Sequence, residues 1–170
     1  MAGHRLMRDP LLPEIMLAAA LGLALSYYSR GTAFRAVVIF IAAAVAAALL
    51  PLPGFTSEIA FAAAWLSVAV TAASLHLRET WRLRAGPWLA WGLALNAGLW
   101  AGLLNQMSLS PSGLAFALPF VALMLPGAWL VGRGWGIAVK VAASWLIAIA
   151  VLQIALGFVP TPGYEADHME

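Results

Sequence analysis

Lys140, Ser144 and Asn96 are the side chains best equipped for chemistry in this chain, and all three fall inside long apolar stretches. Helical spacing puts Lys140 on one face with Gly136, Ser144 and Ala148, a small-residue stripe of the kind that turns toward neighbouring helices. A cation deep in hydrocarbon costs about 3 kcal/mol unless it pairs or reaches water. Lys140 therefore has two readings. It contacts a substrate or an anion at the mouth of a pathway, or its stem lies along the helix and its ammonium reaches the headgroups. Glu79 is an available acidic partner. Asn96 likewise either meets a ligand or makes a hydrogen bond between helices. Ser67, Thr71 and Ser74, on a stripe with Ala60 and Ala64, can satisfy their own backbone carbonyls.

Other constellations are thin. There is no cysteine, hence no disulfide, thiolate metal site or cysteine nucleophile. His4, His76 and His168 are far apart in the sequence, and the acids are scattered, so neither a Ser-His-Asp arrangement nor a carboxylate pair assembles at one depth. Glu14 and Glu58 stand near the starts of apolar blocks, where helix dipole and water account for them. The segment Arg78-Glu79-Thr80-Trp81-Arg82-Leu83-Arg84 could grip lipid phosphate or an acidic partner, or simply enforce topology. A non-enzymatic chain with no cofactor and no metal is expected.

The elements that must position these residues are set by the solvent. Of 170 residues 64% are hydrophobic and only 9% charged, which a water-soluble domain of this size could not carry on its surface. The expected fold is all-α: a single polytopic membrane domain over residues 1–170, folded as a compact bundle of six transmembrane helices. A crossing needs about 20 helical residues. The spans read as 12–28, 34–52, 57–76, 87–105, 113–131 and 135–157, followed by a short acidic tail, 158–170. The first is the weakest and could be a signal peptide, with Arg5 and Arg8 before it and Ala24-Leu25-Ser26 as a poor cleavage site. Charge argues against cleavage. With six spans, Arg30, Arg35, Arg78, Arg82, Arg84, Arg133 and Lys140 share one face, whereas Arg5, Arg8 and the acidic tail share the other. The basic face is then cytoplasmic and both termini are outside, in the periplasm of an inner (plasma) membrane.

Several residues speak to packing. Gly98 and Gly102 form a Gly-x-x-x-Gly pair that permits close helix approach, and Gly136 begins the small stripe of the last span. A polar face and a glycine face together suggest that the fourth span is central. Pro119, Pro126 and Gly127 should kink or break the fifth. A weak internal repeat relates Gly22-Leu23-Ala24-Leu25 to Gly92-Leu93-Ala94-Leu95, Leu52-Pro53-Gly54 to Leu125-Pro126-Gly127, and Ala62-Ala63-Ala64-Trp65-Leu66 to Ala142-Ala143-Ser144-Trp145-Leu146. Three spans per unit would make the halves antiparallel, that is, two inverted three-helix repeats.

Two function classes follow. One is an accessory or structural subunit that packs in the lipid bilayer against other membrane proteins or in a homo-oligomer. The other is a small inverted-repeat transporter or channel for a small solute or ion, with a polar cavity lined by Asn96, Ser144 and Lys140. The basic excess is small and sits beside apolar blocks, so no nucleic-acid partner is expected.

Overall fold

Residues 11–25, the weakest span by sequence, form the helix that meets most of the others. A computed structural model of the chain describes residues 11–50, 57–107 and 113–158. Its helices are α1 (Leu11–Leu25), α2 (Arg30–Leu49), α3 (Ser57–Ala73), extended by a 3-10 turn at Ser74–His76, α4 (Glu79–Met107), α5 (Gly113–Val121), α6 (Met124–Gly132) and α7 (Gly136–Phe158). The described residues are 91% helical with no strand. The segment carrying Arg5 and Arg8, the Pro53-Gly54 pair and the acidic tail beyond residue 158 lie outside the described residues.

α1 buries residues on every side, including Leu17, Ala18, Ala20, Leu21, Gly22 and Leu25, and packs against α3, α4, α5, α6 and α7. A helix that is apolar all round belongs in the interior. Its alanines and Gly22 let five neighbours come close, while the leucines fill the gaps. The expectation of a central fourth span is therefore corrected. α4 packs on α1, α2, α3 and α5, whereas α1 meets five helices and holds the middle.

Among the described residues, four helical stretches are long and apolar enough to cross a membrane: Arg30–Leu49, Glu58–His76, Gly113–Gly132 and Gly136–Gly157. α1 has 15 residues, about 22 Å of helix. In α4, Asn96, three glycines beyond the kink and Trp88, Trp91 and Trp100 dilute the aliphatic content. The architecture is an all-helical bundle compatible with a membrane.

Helix ends follow local chemistry. Ser29 caps α2, its hydroxyl accepting from the Thr32 amide at 3.4 Å, so the helix begins at Arg30 rather than at Phe34. It stops at Leu49 because Pro51 disfavours a helical residue before it, and Leu50 is extended (φ −91, ψ 119). α4 starts at Glu79, within what the sequence read as a loop. Gly86 (φ 54, ψ −143) then breaks it before Pro87, leaving a short basic segment outside the main rod. The fifth span is two helices. Pro126 lacks the amide that would bond to Ala122 and crowds that carbonyl. The chain tightens one turn earlier, with Ala122 N bonded to Pro119 O at 3.0 Å and Leu123 N to Phe120 O at 3.1 Å.

Cross-helix contacts assign the ends. The Tyr27 hydroxyl donates to Gly136 O at 2.9 Å, Arg82 lies over the Tyr27 ring, and His76 meets Ser144. These gather the ends of α1 and α3 and the starts of α4 and α7 at one end of the bundle. Gln106 Nε2 donates to Leu50 O at 2.8 Å and to Ala48 O at 3.2 Å, and Glu14 abuts Gly113, which gathers the end of α2 with that of α4 and the starts of α1 and α5 at the other. α1 and α4 thus run antiparallel, as do α3 and α7.

Candidate functional site

The polar side chains are distributed over three places, and each is built by a different helix pair. At the level of the α3–α4 seam, Ser67 is buried and accepts a short hydrogen bond from Asn96 Nδ2. Asn96 is there because α4 turns its small residues, Ala90, Ala94, Ala97 and Ala101, into the core, which brings the amide alongside α3. One turn on from Ser67, Thr71 is also fully buried, and its hydroxyl has no partner among the described residues. Ser74 donates to the Thr71 carbonyl at 2.6 Å, the local satisfaction expected for this stripe.

Lys140 and Ser144 are at the basic end, not beside Asn96. The Ser144 hydroxyl bonds to the Lys140 carbonyl at 3.0 Å and lies 3.3 Å from His76 Nε2. Along α3, His76 and Ser67 are separated by about 13 Å of helix rise. The two polar groups therefore do not converge on one cavity. The face assigned to Lys140 also needs correction. α7 buries Val139, Ala143, Leu146 and Ala150, whereas Ser144 and Ala148 are exposed and Lys140 is half-buried. The larger Val139 and Leu146 are among the side chains α7 buries, and the small stripe one residue on runs along the edge of that contact, from Gly136 against Tyr27 to the exposed Ala148. Chemically, a hydroxyl that donates to its own helix and meets an imidazole on its other side is a held pair rather than an activated nucleophile.

Around these sits the aromatic-cation frame of the same end. Arg82 Cζ lies 4.5 Å over the Tyr27 ring, Arg133 Cζ 4.8 Å over Trp129, and Arg84 Cζ 6.0 Å from the Trp81 ring centre. In a bilayer such pairs would hold guanidinium heads at the depth where indole and phenol rings are most stable.

Glu14 occupies the third place. It is 0% exposed, which overturns the expectation that it reaches water. Pro13 and Glu14 lie on the covered side of the first turn of α1, and Gly113, the first residue of α5, leaves the space: a Cβ there would fall on Glu14 Oε2. Among the described residues no group of three or more His, Cys, Asp or Glu side chains is placed to hold a metal ion.

The packing residues are distributed as follows. A Cβ on Gly98 would stand 2.8 Å from Ala43 Cβ and collide with Phe40 O, and one on Gly102 would stand 2.8 Å from Ala47 Cβ and collide with Ala44 O. α2 meets these glycines with a stripe of Ala33, Ala36, Ala43, Ala44 and Ala47, so the two backbones touch. Gly136 lies against the Tyr27 hydroxyl. Pro119 stays inside α5 and Gly127 inside α6, where Gly127 makes room for Ser26 at the end of α1. Of the three residues expected to break the fifth span, Pro126 is the one whose missing amide coincides with the interruption. Sequence reading missed Gly22, whose absent Cβ admits the Phe120 and Val121 carbonyls at that interruption, each 2.8 Å from where a Cβ would stand. It also missed the His76–Ser144 contact. Glycine in an apolar run was a usable signal for the first. Nothing local pointed to the second, which joins residues 68 positions apart. No protein-family model, curated protein or solved structure matches the chain.

Proposed function

We propose that this chain is a non-enzymatic accessory or structural subunit, a six-crossing protein of the inner (plasma) membrane that packs in the bilayer against other membrane proteins or copies of itself. The observation that carries it is the dispersal of the polar side chains. Asn96 is taken up by Ser67, Ser144 by its own helix and His76, and the interior between them is filled by Leu17, Leu21, Trp65, Val68, Ala97 and their apolar neighbours. A chain whose polar groups serve its own packing leaves its outer faces for interaction. Those faces are broad and apolar: Phe34, Val38, Val45 and Leu49 on α2, and Ile137, Val141, Trp145 and Leu152 on α7, are all exposed.

Six crossings, with basic connectors in the cytosol and both termini outside, are supported by the alternating direction of the helices and by the bases gathered at one end. The absence of cysteine makes the test clean. Arg78→Cys should be shielded from an impermeant maleimide in intact cells, whereas Met107→Cys should react. Labelling of both from one side sinks the topology. For the function, photo-crosslinkers at Val141 and Leu152 should capture one protein in fixed stoichiometry, and that protein should co-purify in mild detergent. A lone monodisperse chain with crosslinks to lipid only rejects the subunit reading.

A small inverted-repeat transporter or channel is the second reading, supported by a specific feature of the packing. α2 of the first half lies on α4, and α5 of the second half lies on α1, while α1 and α4, and α3 and α7, pair antiparallel. An inverted repeat would pair the halves in this way, and the interrupted α5–α6 pair would serve as the broken helix of such a fold. Under this reading Lys140→Ala abolishes flux into vesicles at unchanged expression.

A further inference from the structure

Arg82 differs from the other arginines of the basic end. Arg30, Arg35, Arg78, Arg84 and Arg133 are exposed, whereas Arg82 is half-buried at the meeting point of α1, α4 and α7. The partner its guanidinium has there is an aromatic ring: Cζ stands 4.5 Å over Tyr27, whose hydroxyl is spent on Gly136 O at 2.9 Å. Stacking on a ring leaves the edge of the guanidinium free, and that edge carries five N–H donors in a planar fork matched to phosphate oxygens. The setting on either side is amphiphilic. Trp81 is 61% and Leu83 72% exposed, and beyond the Gly86 kink Trp88 is 75% exposed. A cationic fork between exposed apolar side chains suits a phosphate with acyl chains attached. A free phosphate would have no use for that apolar surround.

We propose that Arg82, laid on Tyr27, binds the phosphate of an anionic phospholipid whose acyl chains run past Trp81, Leu83 and Trp88. The bound lipid braces the junction, because Tyr27 ties α1 to α7 and Arg82 ties α4 to Tyr27. The short basic segment before Gly86 is thereby held at headgroup depth, where an anionic leaflet attracts it further.

The test uses the whole chain in nanodiscs of phosphatidylcholine, with or without phosphatidylglycerol, and reads thermal unfolding by tryptophan fluorescence. Phosphatidylglycerol should raise the unfolding temperature of the wild type. Arg82→Gln should lose most of that rise, while Arg30→Gln and Arg35→Gln keep it. In native mass spectrometry Arg82→Gln should retain phosphatidylglycerol about fivefold more weakly, the equivalent of ~1 kcal/mol for one basic contact. Arg82→Lys keeps the charge without the fork and should recover only part of the retention, and it carries the test if Arg82→Gln does not fold. Equal losses in all the arginine variants would assign the effect to a diffuse surface field and overturn the site. So would a wild type indifferent to phosphatidylglycerol, or a rise reproduced in phosphatidylcholine discs by inorganic phosphate.

Discussion

Glycines in this chain divide by what stands opposite them, and substitution should report the difference with opposite signs. At Gly98, Gly102 and Gly22 the neighbour is a backbone carbonyl that cannot step aside. Gly98→Val or Gly22→Val should cost about 1–3 kcal/mol through overpacking, read as a lowered unfolding temperature in detergent. Gly92 sits on the same helix as Gly98 with nothing within 4 Å of an added Cβ. There Gly92→Ala should stabilise by about 0.5–1 kcal/mol, since alanine restricts the unfolded chain and favours the helix. The Asn96–Ser67 bond is a second test. A double-mutant cycle of Asn96→Leu and Ser67→Ala should give a coupling of about 0.6–2 kcal/mol, the range for hydrogen bonds between helices in a membrane. Zero coupling would mean that the two side chains do not meet.

Helix ends and interruptions each trace to a residue that changes what the backbone can do, yet only the break in the fifth span was read in the sequence; the starts of α2 and α4 and the Gly86 kink were not. Pro126 withholds an amide, Pro51 disfavours a helical Leu50, and Ser29 offers a hydroxyl to an open N-terminus. Gly86 is the converse case, where the backbone adopts φ 54 with ψ −143, a conformation that a side chain strongly disfavours. Gly86→Ala should cost about 1–3 kcal/mol and should also weaken the Arg82–Tyr27 contact, because it straightens the approach to Pro87. Unchanged unfolding in Gly86→Ala would show that the kink is not required. Pro126→Ala restores the amide and should let α5 and α6 run together, seen as a lengthened distance between spin labels at residues 116 and 130.

The bundle is organised around the 15-residue α1. α1 contacts five other helices, so removal of residues 1–28 should abolish folding rather than trim a leader, and the truncated chain should be degraded or aggregated on expression. A stable, monodisperse truncated chain would contradict the central position of α1. α2 is the contrasting case. It lies chiefly on α4 through small residues, so Ala44→Leu should loosen that helix pair while leaving the α3–α7 contact, read through His76 and Ser144, in place.

What the amino-acid sequence determined on its own is the set of properties carried residue by residue: a membrane-like solvent from its apolar fraction, a helical fold, an interrupted fifth span, a close approach at Gly98 and Gly102, and basic residues collected at one end. Tertiary structure alone decided which helix is central, that Glu14 is enclosed, which group takes Asn96, and that α7 turns Val139 and Leu146 inward rather than Ser144. The reason is physical. In a water-soluble helix the buried face is marked by its contrast with a polar one, but a helix of alanine and leucine is apolar on every side, so its periodicity holds no record of which face is covered. Shape complementarity between helices makes that choice, and shape exists only once the neighbours are in place.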